Sequence, residues 1–303
     1  MQTEQPTTHS VPYPLQDELA QGLLGRLARL NGLSSFNTVS KLLTEYSHRG
    51  NSIPQLWQLA EICRMDFFIF TANHSMLPIL SPLTEKDCSF EEIHNRNQNI
   101  LCNGLSIPKK QLRWCKTCSH LDIKKRGFSY WRRQHQINGV DWCIEHQHPL
   151  VCTSVESAIH SPGHTTTYGL EELNQTIITE ETKYPAIQRL QNIMLGLLHR
   201  PIPIRFRAWS EAIANRISLR ISISKEKILV SNLIREAFPA TWLLRHFPDI
   251  SGKDPKTRIS GIDTAYMDIY RKHLSSLRCA AILAVLFDSA EHAMEALEAA
   301  ESK

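Results

Sequence analysis

Leucines set the first pattern in this chain. Leu15, Leu19, Leu23, Leu27 and Leu30 recur at near-helical spacing, with Asp17 and Glu18 expected in the first turn and Gly32 just past the end. Phe36, Val39, Leu42, Leu43 and Tyr46 make a second apolar face, which Ser34 or Ser35 can cap and Gly50 closes. A third helix is expected after Ser52 and Pro54, with Leu56, Leu59 and Cys63 inward. Three short helices with tight connections suit a helix-turn-helix, and equally any small helical bundle. Residues 1–12, ahead of them, read as a disordered lead.

Beyond residue 66 the pattern breaks up, with Pro78, Pro82 and Pro108 interrupting a turn-rich stretch. Phe128 to Ile137 is rich in aromatic and β-preferring residues after Gly127, and predicts a strand, with Gly139 in the return turn. Residues 153–184 are polar and read as a linker. Helical periodicity then returns: Ile187, Leu190, Met194 and Leu197 before Pro201, then Trp209, Ile213 and Ile217. Ser224 is placed to cap a helix from Ile228 to Phe238, Pro239 opens another through Leu244 and Phe247, and Ile262 to Phe287 is apolar along one face. The expected architecture is mainly α with a small zinc-ribbon-like β unit. It divides into an N-terminal helix-turn-helix-like bundle (1–78), a central zinc-binding module (79–155) and a C-terminal helical domain (156–303).

The zinc assignment comes from spacing. Cys115 and Cys118 form one knuckle, Cys143 and His146 a second, separated by residues 119–142. A single CxxC arises by chance or serves redox chemistry, whereas two paired knuckles supply the four ligands of a tetrahedral Zn²⁺. Four protein ligands leave no position for an activated water, so the expected zinc is structural rather than catalytic. His120 and His148 lie beside the knuckles, but only His146 stands at the paired spacing from Cys143. His135 is expected to be packed or hydrogen-bonded, and Tyr130 and Trp131 to build the small core beside the metal.

Composition adds one feature. The 303 residues carry a net charge of only +4. Nine Lys/Arg nevertheless stand against Asp122 alone between Lys109 and Arg133, a local +8 that leaves −4 for the rest. Such a run is either a solvated face or, interleaved with Trp114, Phe128, Tyr130 and Trp131, a surface for nucleic acid. On the second reading Lys124, Lys125, Arg126 and one of Arg132 or Arg133 contact phosphates, since neighbours on a strand point to opposite sides. The apolar runs are too short to span a bilayer and the opening residues lack a signal-peptide h-region, so a cytoplasmic protein with reduced thiols is expected. No phosphate-cradling GxxxxGK[ST] loop occurs, so ATP hydrolysis is not expected.

The segment from Trp114 to Leu150 resembles the signature of the TniQ/TnsD family of transposition target-selection proteins. The matching residues are Cys115/Cys118, Asp122, Gly127, Tyr130-Trp131-Arg132-Arg133, His135-Gln136, Gly139-Val140, Cys143/His146 and Leu150. The opening helix, with Arg26-Leu-Ala-Arg29 and Asn31-Gly32, is similar to the family's N-terminal helix. Many members carry a second knuckle pair. Here only Cys152 follows, with His160 and His164 as distant substitutes, so a second zinc site is not expected.

The resemblance implies a bacterial targeting adaptor. It would recognise target DNA directly, as the long TnsD-like members do, or a Cascade-type CRISPR effector with its guide RNA, as shorter TniQ members do. It would then recruit a TnsC-like AAA+ transposition ATPase, and its apolar helical faces are open to that ATPase or to a homodimer. Two other readings compete. One is a zinc-stapled HNH-type nuclease using His135 and Asn138, against which no general-base pair precedes the segment. The other is a zinc-stabilised DNA-binding regulator.

Overall fold

The computed structural model describes residues 9–33, 36–48, 53–80, 82–83, 105, 111–154, 171–224, 229–265 and 275–302. The expected caps at Ser34, Ser35 and Ser52, Gly50, and His160 and His164 lie outside them. The described chain is mainly helical, with a small β unit at its centre. The N-terminal helices are α1 (Ala20–Leu30), α2 (Phe36–Tyr46), α3 (Gln55–Ile62), α4 (Phe67–His74) and the single turn α5 (Leu77–Leu80). They pack around Leu23, Leu27, Leu42, Leu43, Leu56 and Leu59, from the apolar faces read in the sequence, together with Phe70 of α4. A four-residue connection joins α3 to α4, where Asp66 accepts hydrogen bonds from the N–H groups of Phe68 and Ile69.

Asp17 and Glu18 are not first-turn residues. Helix α1 begins at Ala20, and the two carboxylates bond elsewhere: Asp17 to the distant Arg133 and Gln134, Glu18 to nearby Leu15 N and Arg26. Asp17 has φ +55°, and Glu18 is buried beneath Arg26, which donates to both its oxygens at 2.9 and 2.7 Å. Nor is the lead wholly free. From His9 onward it is pinned by side chains: Asn31 exchanges two 2.8 Å hydrogen bonds with the backbone of Ser10, and Tyr13 O accepts from Arg26.

The sheet is antiparallel, in the order β1 (Gln111–Trp114), β2 (Val151–Ser154), β3 (Glu171–Glu172), with Leu112 opposite Thr153 and Cys152 opposite Glu171. It flanks the two knuckles. The strand expected over 128–137 is absent: the segment is a buried loop with one 3₁₀ turn at Gln134–Gln136. Its aromatics serve packing, and its polar groups bond in several directions that no ladder could provide. Gln136 substitutes for a strand neighbour, since its side chain accepts from Arg113 N (3.0 Å) and donates to Arg113 O (2.7 Å).

Helix α6 (Lys116–Arg126) carries Cys118 of the first knuckle, and the C-terminal half holds eight more helices among the described residues. They are α7 (Gln175–Glu181), α8 (Pro185–Leu198), α9 (Phe206–Ser224), α10 (Val230–Ala237), α11 (Ala240–His246), α12 (Pro248–Ser251), α13 (Ser276–Leu286) and α14 (Ala290–Glu301). The polar stretch 153–184 is therefore no plain linker, since it contains β3 and α7. Ser224 ends α9 rather than capping α10, whose N-cap is Leu229 without a side-chain bond. Only Ser276–Leu286 of the apolar run before Phe287 is helix among the described residues, and every residue of it but Arg278 is buried. One apolar core runs from Leu19, Met76 and Leu112 through Trp131, Val140 and Trp142 into these helices. Trp131 thus belongs to the main core and not to a private core beside the metal ligands. Gly139 (φ +82°) enters it where a Cβ would lie 2.6 Å from Leu277 Cδ1, and Trp242 Nε1 donates to its carbonyl at 2.9 Å.

His74 is buried against Phe70, with Nδ1 3.0 Å from Glu18 O, and burial pushes its imidazole down to about 4. A histidine depressed in the folded state stabilises fully above its unfolded value of about 6.5 and loses that contribution as pH falls toward 4. Replacing His74 by Asn, which retains a donor, should make the protein less acid-sensitive. The stability gap between wild type and variant, measured by urea unfolding, should narrow by about 3 kcal/mol from pH 7 to pH 4. A gap independent of pH would show that His74 is not linked to folding in this way.

Candidate metal centre

Cys115 follows β1 and is the N-cap of α6, and Cys118 sits in that helix's first turn. A helix N-terminus carries partial positive charge and favours thiolate there. Cys143 and His146 occupy a tight loop between Trp142 and Pro149, which pair as an isolated bridge. Cys143 N donates to His148 O and Gln147 N donates to Cys143 O, both at 2.8 Å, with Gln147 turned to φ +55°. These local turns aim all four side chains at one point.

The ligand atoms of Cys115, Cys118, Cys143 and His146 lie within 4.8 Å of one another. Cys118 Sγ is 3.6 Å from Cys143 Sγ and 3.3 Å from His146 Nδ1. The same nitrogen is 3.4 Å from Cys143 Sγ and 3.7 Å from Cys115 Sγ. A tetrahedral ion about 2.3 Å from sulfur and about 2.05 Å from nitrogen would spread its ligands by roughly 3.6–3.8 Å. The residues therefore fit a metal ion. Crowding splits the thiols: contacts with Cys118 and Cys143 hold Cys115 down, and the contact with Cys115 pushes Cys118 up. A cation removes that conflict by binding all three as thiolates. The cysteines are buried and His146 is half-exposed, so the centre is closed on three sides.

His135 is buried beside the ligands, its Nε2 3.8 Å from Cys118 Sγ, and burial pushes it down to about 3. It is packed, as expected of it, and has no solvent face from which to act as a base. Cys152 lies on β2, outside the cluster.

The basic residues separate sharply. Lys124 and Lys125 are exposed at the end of α6, which Gly127 closes at φ +80°. Arg126 and Arg132 both donate to Oδ1 of buried Asp122, at 3.1 and 3.0 Å, and lie over the Tyr130 ring at 5.7 and 4.8 Å. Arg133 is fully buried, its guanidinium bonded to Asp17 and to three main-chain carbonyls. The expectation that Arg133 is a surface alternative to Arg132 is corrected: the segment is not a strand, and the Arg133 side chain turns inward. The sequence reading missed a stripe on α6, where exposed Lys116, His120 and Lys124 follow at i, i+4 and i+8, about 6 Å apart along the axis.

It also missed the polar joint behind the second knuckle. Asp141 accepts from Arg113 Nη1 (3.2 Å) and Arg245 Nε (3.3 Å), and His246 Nε2 lies 2.7 Å away. Arg245 reaches on to Glu181, which also accepts from Thr241. Each residue alone reads as a surface polar group, and only the fold brings them together.

Replacing Cys118 by Ser should release the metal and expose the segment around residues 111–152 to protease. A structural ion in a small module contributes about 10–16 kcal/mol apparent, more than so short a unit's own core. Metal content and limited proteolysis measure both effects. Stoichiometric metal retained in the variant would remove Cys118 from the ligand set.

No curated protein matches the chain in sequence. Its residues 10–150 match the model of the TniQ family. That span contains Asp17, the buried Arg133 and all four candidate ligands, and it ends at Leu150, which packs beside the three cysteines. TniQ proteins are transposition-associated targeting proteins, adaptors rather than enzymes. Over residues 10–150, a little under half of its length, this chain is similar to the TniQ family.

Proposed function

We propose that this protein is a zinc-stapled targeting adaptor for DNA transposition. It engages the target, as DNA or as a CRISPR effector with its guide RNA already bound there, and recruits the AAA+ ATPase that positions the transposase. The observation that carries this reading is the coincidence of the TniQ match with a closed Cys₃His cluster inside it. Zinc is the ion we assign, because three thiolates and one imidazole in a tetrahedron suit its ligand preferences. A closed site of this kind holds structure and offers no position for catalysis. Burial of His135 counts against the nuclease alternative, since a general base must reach the proton it takes. The three-part division at 78 and 155 remains our reading of the chain, its parts joined through one apolar core.

Within this reading the exposed face of α6 contacts nucleic-acid phosphates, directly or inside the assembly. Lys124 and Lys125 carry it, and Arg126 and Arg132 contribute only what Asp122 leaves them. Phosphate contact releases counterions, so changing Lys124 and Lys125 to Ala should flatten the slope of log K against log salt by about 1.8 at unchanged metal content. Unaltered affinity and slope would mark the charge run as a solvated face.

The adaptor role itself is tested in cells. The protein and the neighbouring transposition ATPase should co-purify, and deletion of this protein should abolish targeted insertion. Normal targeted insertion in the deletion strain would overturn the reading.

A further inference from the structure

Helices α9 and α14 pack side by side, and their seam opens into a depression of about 240 Å³ on the surface. Its floor is apolar: Ala212 and Leu219 from α9, Phe287, and Ala296, Ala299 and Ala300 from α14. Leu219 is 48 % exposed. The alanines let another backbone come close, and Leu219 stands above them as a knob. Glu211 and Leu219, the ends of the α9 wall, are eight residues apart, which is about 12 Å or two helical turns.

Charge is one-sided around this floor. Residues 288–302 contain Asp288, Glu291, Glu295, Glu298 and Glu301 and no Lys or Arg; Glu298 and Glu301 pair with Arg200, which leaves the exposed Glu291 and Glu295 to set the acidic edge of α14. On α9 the lining adds Glu211, and its cation, Arg216, is already paired with Asp288 and donates to Leu286 O at 2.9 Å. An anionic rim repels phosphates and anionic lipid, so neither nucleic acid nor a membrane suits this surface. A second copy laid α14 against α14 would set acid on acid.

We propose that the α9–α14 groove docks a basic amphipathic helix of a protein partner. The partner's i, i+3/i+4, i+7 apolar stripe covers Leu219 and the alanines, and Lys or Arg on its flank faces the acidic edge of α14. The inference rests on neither the metal centre nor the basic face of α6, so its failure would leave the adaptor reading intact.

The test uses the full chain and a labelled synthetic helix with a Leu stripe and Lys flanks, followed by fluorescence anisotropy. Its counterpart carries Glu in place of every Lys. The Lys helix should bind saturably, and the Glu helix should bind about tenfold more weakly or worse. Leu219→Glu and Ala299→Trp, both at exposed positions, should each weaken the Lys helix about tenfold or more. Glu291→Lys with Glu295→Lys should reverse the preference. Far-UV circular dichroism and metal content verify that the variants are folded. Equal binding of the two helices, or binding indifferent to both Leu219→Glu and Ala299→Trp, would overturn the proposal. So would self-association in sedimentation that those same two changes abolish, because the occupant would then be a second copy.

Discussion

The fold depends on one buried guanidinium. Arg133 Nη1 donates to Thr71 O, Ser75 O and Leu198 O at 3.1–3.2 Å, and Nε donates to Asp17 at 3.2 Å. Thr71 and Ser75 belong to the end of α4 and Leu198 to the end of α8, where the helix dipole is negative; Thr71 O is shared with Ser75 N at 3.2 Å. A cation is what those two helix ends require, and the charge is balanced by Asp17. Burial pushes the Asp17 carboxyl up, Arg133 pulls it back down, and Gln134 N donates to its second oxygen. The N-terminal bundle, the metal-binding segment and the C-terminal helices therefore meet on a single side chain. Removing one member of a buried pair leaves the other unpaired at a cost of several kcal/mol, so the three parts are coupled more tightly than their apolar contacts alone would make them.

The ligand set and the apolar helix faces were legible in the sequence because both are local. Cys115, Cys118, Cys143 and His146 declare themselves by spacing within two short turns. Leu23, Leu27, Leu56 and Leu59 do so by periodicity. Residues whose role is long-range were not legible. Arg133, Asp141 and Gln136 are polar and read as surface, yet each is buried and satisfied by groups far away in the chain. The stretch 128–137 misled for a related reason. Its aromatic content reflects burial, which strands and packed loops share, so propensity cannot separate them. The basic run shows the limit of counting charges. Of the five residues expected at phosphates, three are held by Asp122 or Asp17, and the exposed charge is concentrated on Lys124 and Lys125.

The molecule has two electrostatic poles. Helix α6 presents Lys116, His120, Lys124 and Lys125, while α14 presents Glu291 and Glu295 and holds Glu298 and Glu301 against Arg200. A net charge of +4 hides this separation. On the adaptor role proposed above, opposite local charge lets two surfaces reject each other's partners at the stage of encounter, before any close contact forms.

Gly139 ties the TniQ-matched segment to the C-terminal helices. Any side chain there would meet Leu277 Cδ1 at 2.6 Å and Trp242 at 3.2 Å, and Leu190 closes the third side. Position 139 lies inside the TniQ-matched span and its three neighbours lie beyond it. A larger residue at 139 would need both a matching loss of volume on the other side and a relaxed backbone. The left-handed backbone at φ +82° and the three side chains around it both hold position 139 to glycine, so the matched segment and the C-terminal helices constrain each other at a space too small for one methyl group.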